Sequence, residues 1–167
     1  MGEKKYILSK EVVEKKLRRM ALQVAEQNYE EPQLVLIGIR ENGIVIANKI
    51  SAYLQEIFKG EILVIELTIN KKRPANIKLE PMIDFNGKAI LLIDDVANSG
   101  STMLYALKPL LETYPKKIQT LALVERTHKS FPIDVDYVGL SISTTLDEHV
   151  YVEVEGDEVG GAWMKIP

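Results

Sequence analysis

Residues 90–102 read ILLIDDVANSGST, and this stretch is the most informative part of the chain. Its apolar first half, as part of Lys88–Asp94, predicts a strand that is buried on both faces of a parallel sheet. Two adjacent acids, Asp94 and Asp95, stand at the carboxyl end of that strand. The small, hydroxyl-rich loop Val96–Thr102 then leads into a predicted helix, Met103–Leu111. Because ligands of open parallel sheets bind beyond the carboxyl ends of the strands, this stretch marks a candidate ligand site.

Strands and amphipathic helices alternate on either side of this stretch. Two further helices are predicted, one capped by Ser9 and ending near Asn28, the other opening at Gly38–Gly43. The remaining predicted strands are Leu34–Ile39, Ile62–Ile69, Ile118–Val124, Val135–Gly139 and an edge-like His149–Glu153. This alternation predicts one α/β domain over residues 1–167, with three layers, a mainly parallel central sheet and helices on both of its faces.

The composition narrows the class of protein. The chain has 167 residues, of which 46% are hydrophobic and 27% charged, as expected for one globular domain. It contains no cysteine, which excludes disulfides, thiolate metal sites and a cysteine nucleophile. Its net charge is -3, so the molecule as a whole does not attract nucleic acid. The apolar runs are far shorter than the roughly 20 residues that cross a bilayer. We therefore expect a cytoplasmic protein with no membrane partner.

The residue types after the central strand indicate what the site binds. An adjacent acid pair suits a cation or a vicinal diol, since each carboxylate can accept two hydroxyl hydrogen bonds. Gly100 stands where the backbone can require a positive φ, and successive N–H groups at a helix N-terminus form a cradle for phosphate. A diol beside a phosphate describes ribose 5-phosphate. Receiver domains also carry an acid pair, but after their first strand, and the glycine fingerprint of dinucleotide folds is absent from this sequence.

The same stretch resembles the phosphoribosyl pyrophosphate (PRPP) signature of type I phosphoribosyltransferases, in which a hydrophobic strand, two acids and a short spacer precede Thr/Ser-Gly-x-Thr. The resemblance implies that Asp94 and Asp95 hold the ribose hydroxyls and that both, with Arg40, serve catalysis. It implies that Mg²⁺ arrives with PRPP and is not bound directly by the protein. The 5′-phosphate residues that it implies are Ala97, Asn98, Ser99, Gly100, Ser101 and Thr102.

Two other segments acquire roles through this resemblance. The family binds pyrophosphate at a loop that corresponds here to the end of the first predicted apolar strand. The residues implied for that role are Ile39, Arg40, Glu41 and Asn42. The family also has a mobile hood over the active site, which falls within the predicted loop Asn70–Pro81. The basic hood residues are Lys71, Lys72 and Arg73.

A longer resemblance covers nearly the whole chain. Residues 123–150, LVERTHKSFPIDVDYVGLSISTTLDEHV, are similar to the bacterial pyrimidine-operon attenuator/uracil phosphoribosyltransferase family (PyrR). By this resemblance the loop that follows the fourth apolar strand faces the nucleobase, through Val124, Arg126 and His128. The chain departs from that family at Glu41-Asn42, where Thr-Arg is usual, and at Ser101, where Arg is usual. Its hood also lacks the family's Tyr-Arg-Asp-Asp-Leu stretch.

These resemblances predict transfer of the phosphoribosyl group of PRPP to a pyrimidine base, with uracil giving UMP and pyrophosphate, and a role in regulating pyrimidine genes. The expected partners are PRPP, a nucleobase and a second copy of the chain in a homodimer. A purine acceptor is disfavoured, because Asn98 stands where purine transferases usually have an aspartate. The alternatives are an RNA-binding regulator with little catalysis, or a nucleotide-binding protein without turnover, which Glu41 near the pyrophosphate loop favours. The candidate RNA contacts are Lys15, Lys16, Arg18, Arg19 and Arg126.

Overall fold

A computed structural model describes residues 2–167. Within this range the chain forms three helices and nine strands, and the strands are arranged in two sheets. In chain order the elements are β1 (Glu3–Ser9), α1 (Lys10–Gln27), β2 (Gln33–Ile39), α2 (Asn42–Ile57), β3 (Glu61–Thr68), β4 (Lys78–Glu80), β5 (Ala89–Ala97), α3 (Ser101–Leu110), β6 (Lys117–Arg126), β7 (Tyr137–Ile142), β8 (His149–Glu155) and β9 (Glu158–Ile166).

The larger sheet has six strands in the order β4-β3-β2-β5-β6-β7. All of its pairs are parallel except that of β3 with the short β4. Alternate residues of β2 face opposite cores: Leu36 packs with α1 and α2, whereas Ile37 packs with α3. Helices therefore cover both faces of a mainly parallel sheet, and the predicted fold class is confirmed.

Of the smaller sheet, β1-β9-β8, only the edge strand β8 was predicted, as His149–Glu153. Only Ile7 and Leu8 of β1 are not exposed, so the strand has few of the apolar residues by which a strand is detected in a sequence. β9 contains the pair Gly160-Gly161, a residue type that is depleted in strands. The inner face of this sheet packs on the same core as α1 and α2, through residues such as Val152 and Ala162.

Several element boundaries also differ from the prediction. The central strand β5 continues to Ala97, and all nine of its residues are buried, so the first part of the expected loop Val96–Thr102 is strand. Helix α3 begins at Ser101 rather than Met103. The expected hood loop contains the three-residue strand β4, which pairs with β3. No helix within residues 2–167 is long and apolar enough to cross a membrane.

Candidate active site

The acid pair lies at the carboxyl end of β5 and is almost completely buried, with 2% of Asp94 and 9% of Asp95 exposed. Local backbone groups hold both carboxylates: the Asp95 N–H donates to Asp94 Oδ1 at 2.9 Å, and the Val96 N–H donates to Asp95 Oδ1 at 2.8 Å. Asn42, at the start of α2, donates from Nδ2 to Asp95 Oδ2 at 2.9 Å. The two neighbouring strand ends are thus joined by a direct side-chain hydrogen bond.

Close packing of α2 against β5 makes this bond possible. A Cβ atom on Gly43 would lie 2.7 Å from the Ile93 carbonyl oxygen and 3.2 Å from Asp94 Cα. Since the first of these contacts is too short for any side chain, glycine allows the first turn of α2 to pack on the end of β5. The amide of Asn42 is thereby brought within reach of the acid pair.

The electrostatics of the pair are unusual. Burial raises the pKa of the Asp94 carboxyl to about 8, and the adjacent Asp95 carboxylate adds to the rise. The Lys71 ammonium opposes both effects, with Nζ 3.1 Å from Asp94 Oδ1 and 3.8 Å from Asp95 Oδ1. The site therefore concentrates two carboxyl groups in a poorly solvated place, where they need a cation or hydroxyl donors.

The loop after β5 has the geometry of an anion cradle. Gly100 caps α3 with φ 85° and ψ -5°, a left-handed conformation that favours glycine. The Ser99 carbonyl oxygen accepts from the N–H groups of Ser130 and Phe131, both at 3.0 Å, which anchors the cradle to a second loop. The N-terminus of the ten-residue helix α3 follows directly, so its free N–H groups and positive dipole end face the same region.

The acid pair and the cradle line one cavity of about 270 Å³. The structure thus brings together six predicted 5′-phosphate residues with Asp94 and Asp95. Other residues that line the cavity are Asn42, Lys71, Val96, Met103, Val150, Tyr151 and Val152. A neighbouring cavity of about 540 Å³ is lined by Arg40, Glu41, Asn42, Thr68, Ile69, Lys71 and Asp95. Three residues line both cavities: Asn42, Lys71 and Asp95.

The predicted pyrophosphate residues sit at the second cavity, apart from the buried Ile39. The side chain of Arg40 is 57% exposed, and its Nε lies 3.6 Å from Glu66 Oε1. Glu41 is exposed, and the peptide bond between it and Arg40 is cis. An anion at this loop would therefore meet one cation that is already paired and one exposed carboxylate.

Of the predicted hood residues, only Lys71 reaches the acid pair. The side chains of Lys72 and Arg73 are exposed, and their backbone N–H groups donate to Asn70 Oδ1 at 3.1 and 3.3 Å. This turn at Asn70 sets the direction of the hood as it leaves β3. The sequence pattern did not distinguish the three basic residues, because the distinction depends on tertiary packing.

The predicted base-binding residues lie outside the cavity that the acid pair lines. Val124 is fully buried within β6, where it belongs to the core beneath α1 and α2. Arg126 is still in β6 and donates from Nε to Thr144 Oγ1 at 2.7 Å and from Nη2 to the Thr145 carbonyl oxygen at 3.1 Å. His128 is exposed. Strand β6 extends to Arg126, so the first part of the expected base-facing loop 124–128 is strand rather than loop.

Edge strand β8 supplies cavity residues that the sequence did not reveal. Tyr151 stacks on Trp163 with ring centroids 4.5 Å apart and an interplanar angle of 24°. The Val152 carbonyl oxygen accepts from Asn42 Nδ2 at 3.1 Å. The alternation in 149–153 predicted a strand, but only the three-dimensional fold places that strand beside the end of β5.

A family model described as the phosphoribosyl transferase domain matches residues 4–157. The chain belongs to the phosphoribosyltransferase family. Two curated relatives are each named "Bifunctional protein PyrR". The protein of Ligilactobacillus salivarius is 34% identical, with 94% of each chain covered, and that of Chloroflexus aurantiacus is 35% identical, with 95% of each chain covered. The predicted resemblance to PyrR proteins is therefore confirmed.

The fold is shared with a solved structure of another member of the family. The hypoxanthine phosphoribosyltransferase of Trypanosoma cruzi superposes with a TM-score of 0.80, at 15% identity and with 98% of this chain and 97% of that chain covered. At so low an identity the likeness shows the fold alone. It confirms the predicted type I phosphoribosyltransferase fold.

Proposed function

We propose that the protein transfers the phosphoribosyl group of PRPP to a pyrimidine base, with uracil as the acceptor. The observation that carries this proposal is the single cavity in which Asp94 and Asp95 face the cradle 97–102. A ribose diol and a 5′-phosphate are the two ends of one ligand that match this pair of features. Membership of the family and similarity to PyrR proteins support the same reaction.

The acid pair fixes the sugar. Each hydroxyl group donates to a carboxylate oxygen of Asp94 or Asp95, and the 5′-phosphate accepts from the N–H groups at the start of α3. With both ends held, C1′ is oriented for attack by the base from the face opposite the departing pyrophosphate. The local N–H bonds to both carboxylates keep the pair in place before the substrate arrives.

Pyrophosphate leaves toward the second cavity, where the loop 40–42 carries backbone N–H groups and Arg40. Among residues 2–167, no group of three or more His, Asp or Glu side chains is placed to hold a metal ion. The side chain of Asp95, 12% exposed at the junction of both cavities, fits a water-mediated contact to Mg²⁺ carried by PRPP. When bound, Mg²⁺ neutralises charge on the leaving pyrophosphate.

The acceptor site is proposed between the cradle and β8. Tyr151, an aromatic residue, lines the cavity, and the Asn98 amide there can both donate and accept. Asn98 stands where purine transferases usually have an aspartate, which favours a pyrimidine. The N1 proton that uracil loses on transfer passes to the departing pyrophosphate or to solvent. The proposed base contacts are therefore Asn98 and Tyr151, in place of the buried Val124.

A regulatory role is a second candidate, because the chain resembles the family of pyrimidine-operon attenuators and two curated relatives are named "Bifunctional protein PyrR". Several of the basic residues expected to contact RNA are engaged within the chain. Lys16 Nζ donates to the Gly139 carbonyl oxygen at 2.8 Å, Arg19 Nη2 donates to the Val138 carbonyl oxygen at 2.7 Å, and Arg18 lies over the Tyr53 ring at 5.5 Å. RNA binding that weakens steeply between 50 and 200 mM salt, at roughly the slope of several phosphate contacts, is the result that favours regulation.

We also propose a homodimer. The apolar stripe of α1 is buried inside the chain, at Val13, Leu17, Met20, Ala21 and Val24. The dimer interface therefore does not use this stripe. Sedimentation velocity across a concentration series measures the assembly state, and a monomer at all concentrations contradicts this part of the proposal.

A base panel tests the proposed reaction. Purified protein is given PRPP and Mg²⁺ with uracil, hypoxanthine, guanine, xanthine, adenine or orotate, and nucleotide and pyrophosphate are quantified. Product with uracil alone is the expected result. Product with a purine alone contradicts the acceptor but retains the PRPP site. Absence of product with every base contradicts the enzymatic proposal and leaves the regulatory candidate.

A further inference from the structure

All four carboxylate oxygens of the acid pair accept hydrogen bonds from the protein itself. Asp94 Oδ1 accepts from the Asp95 N–H at 2.9 Å and from Lys71 Nζ at 3.1 Å, and Asp94 Oδ2 accepts from the same ammonium at 3.4 Å. Asp95 Oδ1 accepts from the Val96 N–H at 2.8 Å, and Asp95 Oδ2 from Asn42 Nδ2 at 2.9 Å. A sugar diol that binds here must share or replace these donors.

The donors differ in how readily they can leave. The two N–H groups belong to the buried strand β5 and move only with it. Asn42 is also bonded to the Val152 carbonyl oxygen, so its amide is fixed from two sides. Lys71 extends from an exposed segment, and its side chain is 42% exposed on a stem of four rotatable bonds. Lys71 is thus the donor that can be replaced at least structural cost.

The ammonium also stands where a substrate has to pass. Lys71 lines the cavity of the acid pair and the cavity of the pyrophosphate loop. Burial lowers its pKa, but the Asp94 and Asp95 carboxylates outweigh that effect and raise it, so the group stays charged. Its Nζ lies against Asp94, the more deeply buried acid.

We propose that Lys71 is an internal competitor of the sugar, holding the acid pair with its ammonium until the ribose hydroxyls displace it. This inference rests on the proposed function, since it requires the acid pair to be the sugar site. Displacement frees the hood at residue 71, so that binding of the sugar and release of the hood are one event. The same contact places one positive charge beside the two buried carboxyl groups whenever the sugar is absent.

Competition lowers the apparent affinity for the sugar by the fraction of time that the acid pair is free. If the ammonium occupies the pair roughly nine-tenths of the time, the apparent dissociation constant is about tenfold weaker than the intrinsic one. Replacing Lys71 by methionine keeps a long unbranched side chain and removes the ammonium. Lys71→Met is therefore expected to bind the sugar about tenfold more tightly.

Ribose 5-phosphate is the probe, because it carries the diol and the phosphate but no pyrophosphate for a released lysine to contact. Its binding is measured by calorimetry for wild type, Lys71→Met and the matched control Lys72→Met, which loses the same charge from the next, exposed residue. Tighter binding by Lys71→Met, with Lys72→Met equal to wild type, supports competition. Equal or weaker binding by Lys71→Met overturns it, whereas no binding by any of the three proteins overturns the proposed sugar site as well.

Amine labelling followed by mass spectrometry measures displacement directly. In wild type, Lys71 is expected to react more slowly than Lys72, because its amine is held by carboxylates. Saturating ribose 5-phosphate should raise the reactivity of Lys71 severalfold and leave that of Lys72 unchanged. Ribose 5-phosphate that binds without raising the reactivity of Lys71 overturns the inference and leaves the proposed function standing.

Discussion

Two neighbouring strands of the main sheet, β5 and β2, both end in a loop that opens a helix, yet the two loops differ chemically. The loop after β5 carries buried acids, hydroxyl side chains and a left-handed glycine cap. The loop after β2 carries an exposed carboxylate on Glu41 and an Arg40 that is paired with Glu66. The proposed sugar phosphate site therefore has its polar groups in place at the first loop, whereas the charges of the second loop must rearrange before it favours an anion.

The difference shows that a loop between a strand and a helix fixes where residues lie, whereas the side chains and their burial decide what the loop can bind. Both loops benefit from the same edge of the sheet and from a helix N-terminus. What separates them is burial: in the β5 loop the charges are poorly solvated, so each interaction is strong, whereas in the β2 loop water screens them. We therefore expect changes near β5 to have large effects and changes near β2 to have small ones.

The largest effect is expected from the acid pair. Asp94→Asn combined with Asp95→Asn removes the two carboxyl groups proposed to accept hydrogen bonds from the sugar hydroxyls, and should weaken binding of PRPP with Mg²⁺ by roughly 100-fold or more. The control Asp157→Asn removes an exposed carboxylate in the turn between β8 and β9. Calorimetric titration of all three proteins checks the prediction, and equal affinities for the double variant and wild type contradict it.

The second expected effect concerns the pH dependence of stability. The pKa of Asp94 is raised from 3.8 to about 8 in the folded protein, so between these values the folded chain holds more protons than the unfolded chain. The stability linked to this group is fully present below about pH 4 and is lost as pH rises through 8. Asp94→Asn should remove this fall, changing the free energy of unfolding relative to wild type by at least about 1 kcal/mol across the window.

Urea unfolding at a series of pH values measures this difference. The control is Asp84→Asn, because Asp84 is exposed and belongs to a local turn before β5. Parallel pH profiles of wild type and Asp94→Asn contradict the account of a buried, proton-binding carboxyl group.

A smaller effect is expected at the cap of α3. Gly100→Ala places a Cβ in the left-handed region, which costs about 1–2 kcal/mol, and brings it 3.2 Å from the Phe131 carbonyl oxygen. Gly87→Ala is the matched control, because Gly87 has φ 70° with no other atom within 4 Å of an added Cβ. Thermal unfolding should show a larger loss for Gly100→Ala, and only this variant should also bind ribose 5-phosphate more weakly. Equal losses in both measurements show that the contact with Phe131 has no role.

The smallest effect is expected at the β2 loop. Glu41→Gln removes an exposed negative charge beside the proposed pyrophosphate position, and should tighten inhibition by pyrophosphate roughly two- to fivefold. Glu56→Gln, an exposed residue near the other end of α2, serves as the control. An unchanged inhibition constant for Glu41→Gln places its carboxylate too far from the pyrophosphate to matter.

The sequence predicted the parts of the fold that depend on local pattern. The apolar runs of β2, β5 and β6 and the spacing of apolar residues in α1 were sufficient to predict an α/β domain with a mainly parallel sheet. Strands β1 and β9 of the smaller sheet were missed because β1 exposes all but two of its residues and β9 contains two consecutive glycines. Neither feature resembles the alternation by which a strand is normally detected.

The residues of the candidate site were likewise predicted only where they are close together in the sequence. The acids and the cradle were predicted because they are contiguous in sequence. The bond from Asn42 to Asp95, the contact of Lys71 with Asp94 and the approach of Tyr151 join residues at least 23 positions apart. These contacts depend on how α2, the hood and β8 pack around the end of β5, and no local pattern encodes them.

A crystal structure of the protein with PRPP and Mg²⁺ would show whether the acid pair holds the sugar. We expect the sugar hydroxyls about 3 Å from the carboxylates of Asp94 and Asp95. We also expect the 5′-phosphate at the N-terminus of α3 and the Lys71 ammonium displaced from Asp94. A sugar bound elsewhere, with the Lys71 ammonium still paired with Asp94, would show that the acid pair is not the sugar site.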